Sequence, residues 1–162
     1  YLDMESRKGL WKYIGAHESM VGEVRGYNYF SEPIAFSFED SEIKETIRPY
    51  IMGRLVDTRM FLEKYRFRGE ANGGVTLRIS DPFLEWNDQS LTLDIAGGRC
   101  EVTKTASRRT AAMSIGTLTT LLLGYKRASE LAALERIDAD RETIKFLDNA
   151  VIHKKPYISD YI

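Results

Sequence analysis

Apolar positions along the chain change their spacing twice, and the changes divide it into three stretches. Over residues 4–20 they recur at helical intervals, with Leu10, Trp11 and Ile14 on one face, Met4 an outlier and Asp3 in position to cap the start. Tyrosine and valine enrichment from Met20 to Phe30 predicts a strand, weakened by Gly22 and Gly26. Ser31 to Asp40, with Pro33, reads as a connection. A short helix is predicted from Ser41 to Ile47, stopped by Pro49, then a strand from Tyr50 to Val56. Asp57 can cap a helix from Thr58 to Tyr65 that packs through Phe61, Leu62 and Tyr65.

Beyond that helix the spacing falls to two. Val75, Leu77 and Ile79 alternate with polar residues, as do Leu91, Leu93 and Ile95, then Cys100 and Val102. Gly97-Gly98 lies between the last two runs, where a tight hairpin turn requires positive φ. Ser80-Asp81-Pro82 marks another turn. After Arg109 the pattern reads as helical again. Ser114 caps a helix carrying Leu118, Leu121 and Leu122, and Gly124 ends it. A second helix covers Ser129 to Leu134. A third opens near Asp140 and places Ile144, Leu147 and Val151 on one face. No internal repeat is visible. The order predicts an α+β fold with a mostly antiparallel sheet packed by helices, not a doubly wound sheet.

The composition fits this reading. Of 162 residues, 43% are hydrophobic and 29% charged, enough to bury a core, and the net charge is −1. That balance offers no basic face for phosphates, so no nucleic-acid partner is expected. Cys100 is the one cysteine, which forbids an intrachain disulfide and points to a reducing cytoplasm. No apolar run approaches the roughly 18 residues of a membrane span, Leu118 to Gly124 included, so no membrane is expected. The first residue is Tyr1 rather than methionine, in keeping with part of a longer polypeptide.

Candidate chemistry is sparse. A nucleophilic site needs a base beside a nucleophile and a group to orient the base, and the chain offers only His17, His153 and Cys100. Cys100 alternates with Val102 and reads as a core residue, His17 as a helix-surface residue, and His153 as a cation near a helix end. No ligand spacing for a metal appears. Arg108-Arg109 and Lys154-Lys155 read as solvated charge. Arg66-Phe67-Arg68-Gly69-Glu70-Ala71 fits Arg/Gln-x-x-Gly-x-Gly/Ala, the pattern by which GNAT acetyltransferases hold the acetyl-CoA pyrophosphate. That chemistry needs amides opening a helix, whereas this stretch follows a helix and leads into a strand. No cofactor-binding residue is assigned, and no complete active site is expected in this chain.

Three stretches together carry a resemblance. Met113-Ser114-Ile115-Gly116-Thr117-Leu118-Thr119-Thr120-Leu121-Leu122-Leu123-Gly124 is similar to the "sigtLaallLG" motif of the sterol-carrier-protein-like domain that closes the Eis-type (enhanced intracellular survival) family of bacterial GNAT acetyltransferases. Met52-Gly53-Arg54-Leu55-Val56-Asp57 resembles the family's "MaRIVDv" strand, and the helix ending Phe61-Leu62-Glu63-Lys64-Tyr65 also fits. Pro156-Tyr157-Ile158-Ser159-Asp160-Tyr161-Ile162 resembles its "P...sDyF" terminus, with Ile162 where a phenylalanine is usual.

The resemblance implies that residues 1–55 are the closing half of a middle GNAT-like domain and 56–162 the sterol-carrier-protein-like domain. It places the catalytic, acetyl-CoA-binding GNAT domain N-terminal to Tyr1. Acetyl-CoA is then the cofactor of the full-length enzyme, with none bound to this chain. The acceptor is an amine of unspecified identity, and the protein a homo-oligomer. The resemblance also assigns one catalytic group, the terminal carboxylate of Ile162, as general base toward the acceptor amine. A different expectation follows from the carrier fold, a module binding lipid or another hydrophobic ligand, with Leu118, Leu121, Leu122 and Phe146 as tunnel walls.

Overall fold

The computed structural model describes residues 3–29, 32, 34–37, 43–47 and 52–158. Tertiary contacts divide the chain into two units, Tyr1–Lys44 and Glu45–Ile162.

In the first unit, α1 spans Met4–Gly15. The Asp3 carboxylate accepts from the Ser6 amide at 2.7 Å, satisfying one donor of the first turn as the sequence predicts. The helix stops at Gly15 and passes into turns up to Met20, five residues short of the predicted end. None of its residues is fully buried, Leu10 being 53% exposed, while Trp11 of the predicted face is half-buried with its indole nitrogen shielded from solvent. Arg7 pairs with Glu32 at 3.3 Å, and a single 3-10 turn covers Ala35–Ser37. Residues 21–29 form no strand, in contrast to expectation, because Gly22 and Gly26 bring no side chain to pack and favour the unfolded chain. Residues 43–47 form no helix and 52–56 no strand; the rest of those two predicted elements (41, 42, 50 and 51) lies outside the described residues.

The second unit is built on a five-stranded sheet in the order β3-β2-β1-β4-β5. Its strands are β1 (Gly73–Ser80), β2 (Ser90–Ala96), β3 (Arg99–Thr103), β4 (Thr110–Ser114) and β5 (Ile137–Ala139). All neighbours are antiparallel except β1 and β4, which run parallel. Register follows the period-two pattern. Val75 faces Leu93, which faces Val102, and Ile95 faces Cys100. Ile79 faces Met113, which faces Ile137. These rows place one apolar side chain beside another across the sheet on its buried face. Ala96 pairs with Arg99 around Gly97 and Gly98, whose φ values of +56° and +77° are those of the predicted two-residue turn.

Four helices accompany the sheet: α2 (Thr58–Lys64), α3 (Ile115–Leu122), α4 (Ala128–Ala133) and α5 (Arg141–Ala150). Three are capped as the sequence indicates, Asp57 accepting from Met60, Ser114 from Thr117 and Asp140 from Thr143. Leu62, Leu118, Leu121, Leu122 and Leu147 are buried with the strand residues in one core. Two strands escape the sequence reading, which takes the chain as helical after Arg109. Thr110–Ser114 is rich in alanine and gains strand geometry by pairing with β1, a partner about thirty positions earlier. Three-residue β5 is too short to show a period. Leu118 is fully buried in this core. Leu118→Ala is expected to cost about 4 kcal/mol by transfer and cavity terms, read from the urea midpoint at unchanged m-value.

Candidate functional site

Residues 53–57 lead into α2 as a strap fastened to the sheet domain. Gly53 lies against α3, where an added Cβ would meet the Leu123 side chain at 2.8 Å. Leu55 is buried, and its amide donates to the Thr119 hydroxyl at 3.3 Å. Arg54 reaches the turn after β1, its guanidinium donating to both Asp81 carboxylate oxygens at 2.6 and 2.8 Å. The Asp81 side chain is wholly buried, while that of Arg54 is 39% exposed. Asn87, also buried, ties the parts together. Its amide nitrogen donates to Asp81 and to the Val56 carbonyl, each at 3.1 Å, and its oxygen accepts from the Thr58 amide at 3.0 Å. The Trp86 indole donates to the same Val56 carbonyl at 2.8 Å. Burial alone would raise the pKa of Asp81. The Phe83 amide, the Asn87 side chain, the Arg54 guanidinium and the Leu84 amide outweigh it and hold the acid at about 2. Sequence patterns mark Asp81 only as a turn residue and miss its partners: Arg54 lies 27 positions away, and Asn87, six away, belongs to no turn or capping pattern that would name it.

The strap lines an open groove of about 740 Å³ together with Met60, Phe61, Tyr65 and Leu123, and Lys64 and Arg66 also line it. The tail crosses the nearby end of α3. That helix closes in a full Schellman arrangement, Gly124 N–H donating to Leu121 and Tyr125 N–H to Thr120. The Lys155 ammonium stands 5.8 Å from the Tyr125 ring centroid.

The candidate residues that the sequence offers separate in space into unrelated settings. Ile162 lies outside the described residues. His17 Nδ1 is 2.8 Å from the Tyr13 carbonyl, within the first unit. His153 is exposed, and Glu130 feels its charge. The Cys100 thiol is buried and donates to the Leu62 carbonyl at 3.2 Å; burial, then the charge of Glu63, push it up to about 11, the state of an inert core thiol. In the 66–71 loop the amides of Phe67, Arg68 and Ala71 donate to the carbonyls of Gly98, Ala150 and Arg68. Those three donors are spent within the protein, and the loop opens no helix, the setting that the pyrophosphate pattern requires. Arg109 is not simply solvated: it pairs with Glu142 at 3.0 Å and stands 4.7 Å from the centroid of Phe146. Leu118, Leu121 and Leu122 are packed core and Phe146 sits under Arg109, so these four do not line the groove as walls of a common tunnel.

Among the described residues no group of three His, Cys, Asp or Glu side chains is placed to hold a metal, and no helix is long and apolar enough to cross a membrane. The strap generates two expected outcomes. Asn87→Ala leaves buried donors and acceptors unpaired and is expected to destabilise the chain by about 3 kcal/mol in urea denaturation. The folded pKa of Asp81 lies below its unfolded value, so its stabilisation is complete above pH ~4 and is lost as pH falls toward 2. Asp81→Asn should lower the Tm at pH 7, and the gap from wild type should close between pH ~4 and ~2. A gap independent of pH would refute the ionised clasp.

A family model described as an acetyltransferase (GNAT) domain matches residues 1–55, and one described as a sterol carrier protein domain matches residues 58–159. Among solved structures, a conserved protein of Enterococcus faecalis V583, described as a probable N-acyltransferase, matches all of this chain at 28% identity and a TM-score of 0.85. This chain spans 42% of that one. A GCN5-related N-acetyltransferase from Anabaena variabilis ATCC 29413 matches 64% of this chain and 26% of its own, at 20% identity and a TM-score of 0.59. Eis1 from Mycobacterium abscessus matches 67% of this chain and 27% of its own, at 16% identity and a TM-score of 0.55. At these identities the latter two show a shared fold. No curated protein matches significantly. The sterol carrier match covers more than half of the chain and contains the whole mixed sheet with its helices, so the chain belongs to the sterol carrier protein domain family, with a GNAT acetyltransferase domain match preceding it.

Proposed function

We propose that this chain is the C-terminal region of an acetyl-CoA-dependent N-acetyltransferase of the Eis type, acting on an amine acceptor in the cytoplasm. The observation that carries the reading is the GNAT match followed by the sterol carrier match, together with the full-length likeness to a probable N-acyltransferase of which this chain fills 42%. Residues 1–55 close a GNAT-like domain in this reading, and 56–162 form the carrier-like domain. The catalytic acetyltransferase domain lies outside this chain, in keeping with a 66–71 loop that follows a helix and spends the amides of Phe67, Arg68 and Ala71 within the fold. The parent enzyme is a homo-oligomer, and large side chains such as Met52 (96% exposed) and Phe83 (80% exposed) are suited to contact with another domain or copy.

The carrier-like domain helps to shape the acceptor pocket and directs the tail. Where Ile162 ends the polypeptide, its carboxylate is the general base that takes the proton from the acceptor amine. A free terminal carboxylate has a pKa of about 3.3–3.7, so entry into a water-poor site is what would raise its basicity. Deleting residues 159–162 from the full-length polypeptide is expected to lower kcat for acetyl transfer by about 100-fold or more, with the KM for the acetyl donor unchanged. An unchanged kcat would remove the tail from the mechanism, and no transfer by the intact enzyme to any of a panel of amines would reject the acyltransferase reading.

A further inference from the structure

We infer that Gly124, with Tyr65 and Tyr125, forms a track that sets the course of the C-terminal tail, which makes Gly124 a positioning residue for the proposed reaction. The catalytic part of this inference rests on the tail-carboxylate reading above. The structural part stands on its own.

Gly124 occupies the left-handed position after α3, at φ +72°. A glycine there is explained in part by the helix stop, since this conformation costs other residues energy. It is not explained fully, because asparagine also tolerates that conformation. The remaining demand comes from the tail. A Cβ added at Gly124 would lie 2.7 Å from the Ile152 carbonyl oxygen, 2.8 Å from that of Lys154 and 2.9 Å from the Lys154 nitrogen. All three are backbone atoms, so no side chain can rotate aside to make room. By contrast, Gly97, also at positive φ, has nothing within 4 Å of such an atom.

Two aromatic residues flank this crossing. Tyr65, half-buried just after α2, has its pKa raised by burial, an effect partly offset by the backbone of Ile152 beside it. Tyr125 follows Gly124 directly and faces the Lys155 ammonium. Over residues 152–155 the tail therefore runs beside Tyr65 and closely past the end of α3. Eight residues, 155–162, continue beyond Lys154, and fully extended they reach at most about 28 Å. Where Ile162 ends the polypeptide, a fixed departure point and direction would confine its carboxylate to a small part of that sphere, and a base must come within hydrogen-bond reach of its proton.

The test compares Gly124→Asn, which keeps the left-handed turn but adds the Cβ, with Tyr65→Phe, which removes only the hydroxyl. Hydrogen exchange in this chain is expected to quicken about tenfold or more over residues 152–158 in both variants, while the amides of β1 and β2 keep their protection. In the full-length polypeptide, Gly124→Asn is expected to lower kcat about tenfold or more and leave the KM for the acetyl donor unchanged. Unchanged exchange over 152–158 in both variants would overturn the track. Equal loss of protection in the sheet would overturn it too, reducing Gly124 to a helix stop. If deletion of 159–162 lowers kcat but Gly124→Asn does not, the positioning role fails and the carboxylate reading survives. If neither lowers kcat while the tail loosens, the carboxylate reading fails and the track remains.

Discussion

A carboxylate removed from water has to recover the hydrogen bonds it gives up, and Asp81 recovers them from four directions. The amides of Phe83 and Leu84, the Asn87 side chain and the Arg54 guanidinium all converge on it. Satisfying this one charge folds the turn between β1 and β2 onto itself and draws residues 53–57 against the sheet domain. The start of α2 follows, because Asn87 also receives the Thr58 amide and Asp57 caps the helix. The network has no half-satisfied alternative of comparable energy, since breaking either partner leaves a buried group unpaired. It specifies a single course for the chain where the strap enters the domain.

The other end of the domain is governed by excluded volume rather than charge. Gly124 lets the backbone of the tail approach the end of α3 more closely than any other residue would allow. The two ends also share neighbours: Gly53 of the strap meets Leu123, and Thr119, about one helical turn earlier in α3, receives the Leu55 amide. Helix α3 thus supports both the strap and the tail. A leucine-rich helix that reads as plain core in sequence is the element against which both flanking segments are set.

This arrangement suits a domain that positions other groups. Its one thiol is held protonated in the core, and the loop that fits a cofactor pattern spends the amides of Phe67, Arg68 and Ala71 on the fold. What the domain offers outward is an open groove with apolar walls and a tail whose backbone passes close to Gly124. The proposed acyltransferase role places these at the service of chemistry carried out elsewhere in a longer polypeptide.

Local physics accounts for what was legible in the sequence. The alternation of Val75, Leu77 and Ile79 and of Leu91, Leu93 and Ile95 determines two strands and their buried face. Gly97-Gly98 determines the turn to the third, and Asp57, Ser114 and Asp140 determine three helix starts, because each effect acts within a few residues. Gly124 could be seen to stop a helix for the same reason. Tertiary structure alone decided that Ala111 and Met113 lie in a strand, since their partners Leu77 and Ile79 are distant in sequence. It alone brought Arg54 to Asp81, across 27 positions, and the tail to Gly124. Spacing and propensity carry no information about which distant backbone will arrive at a given side chain; that is settled when the core closes and buried charge and volume must be satisfied together.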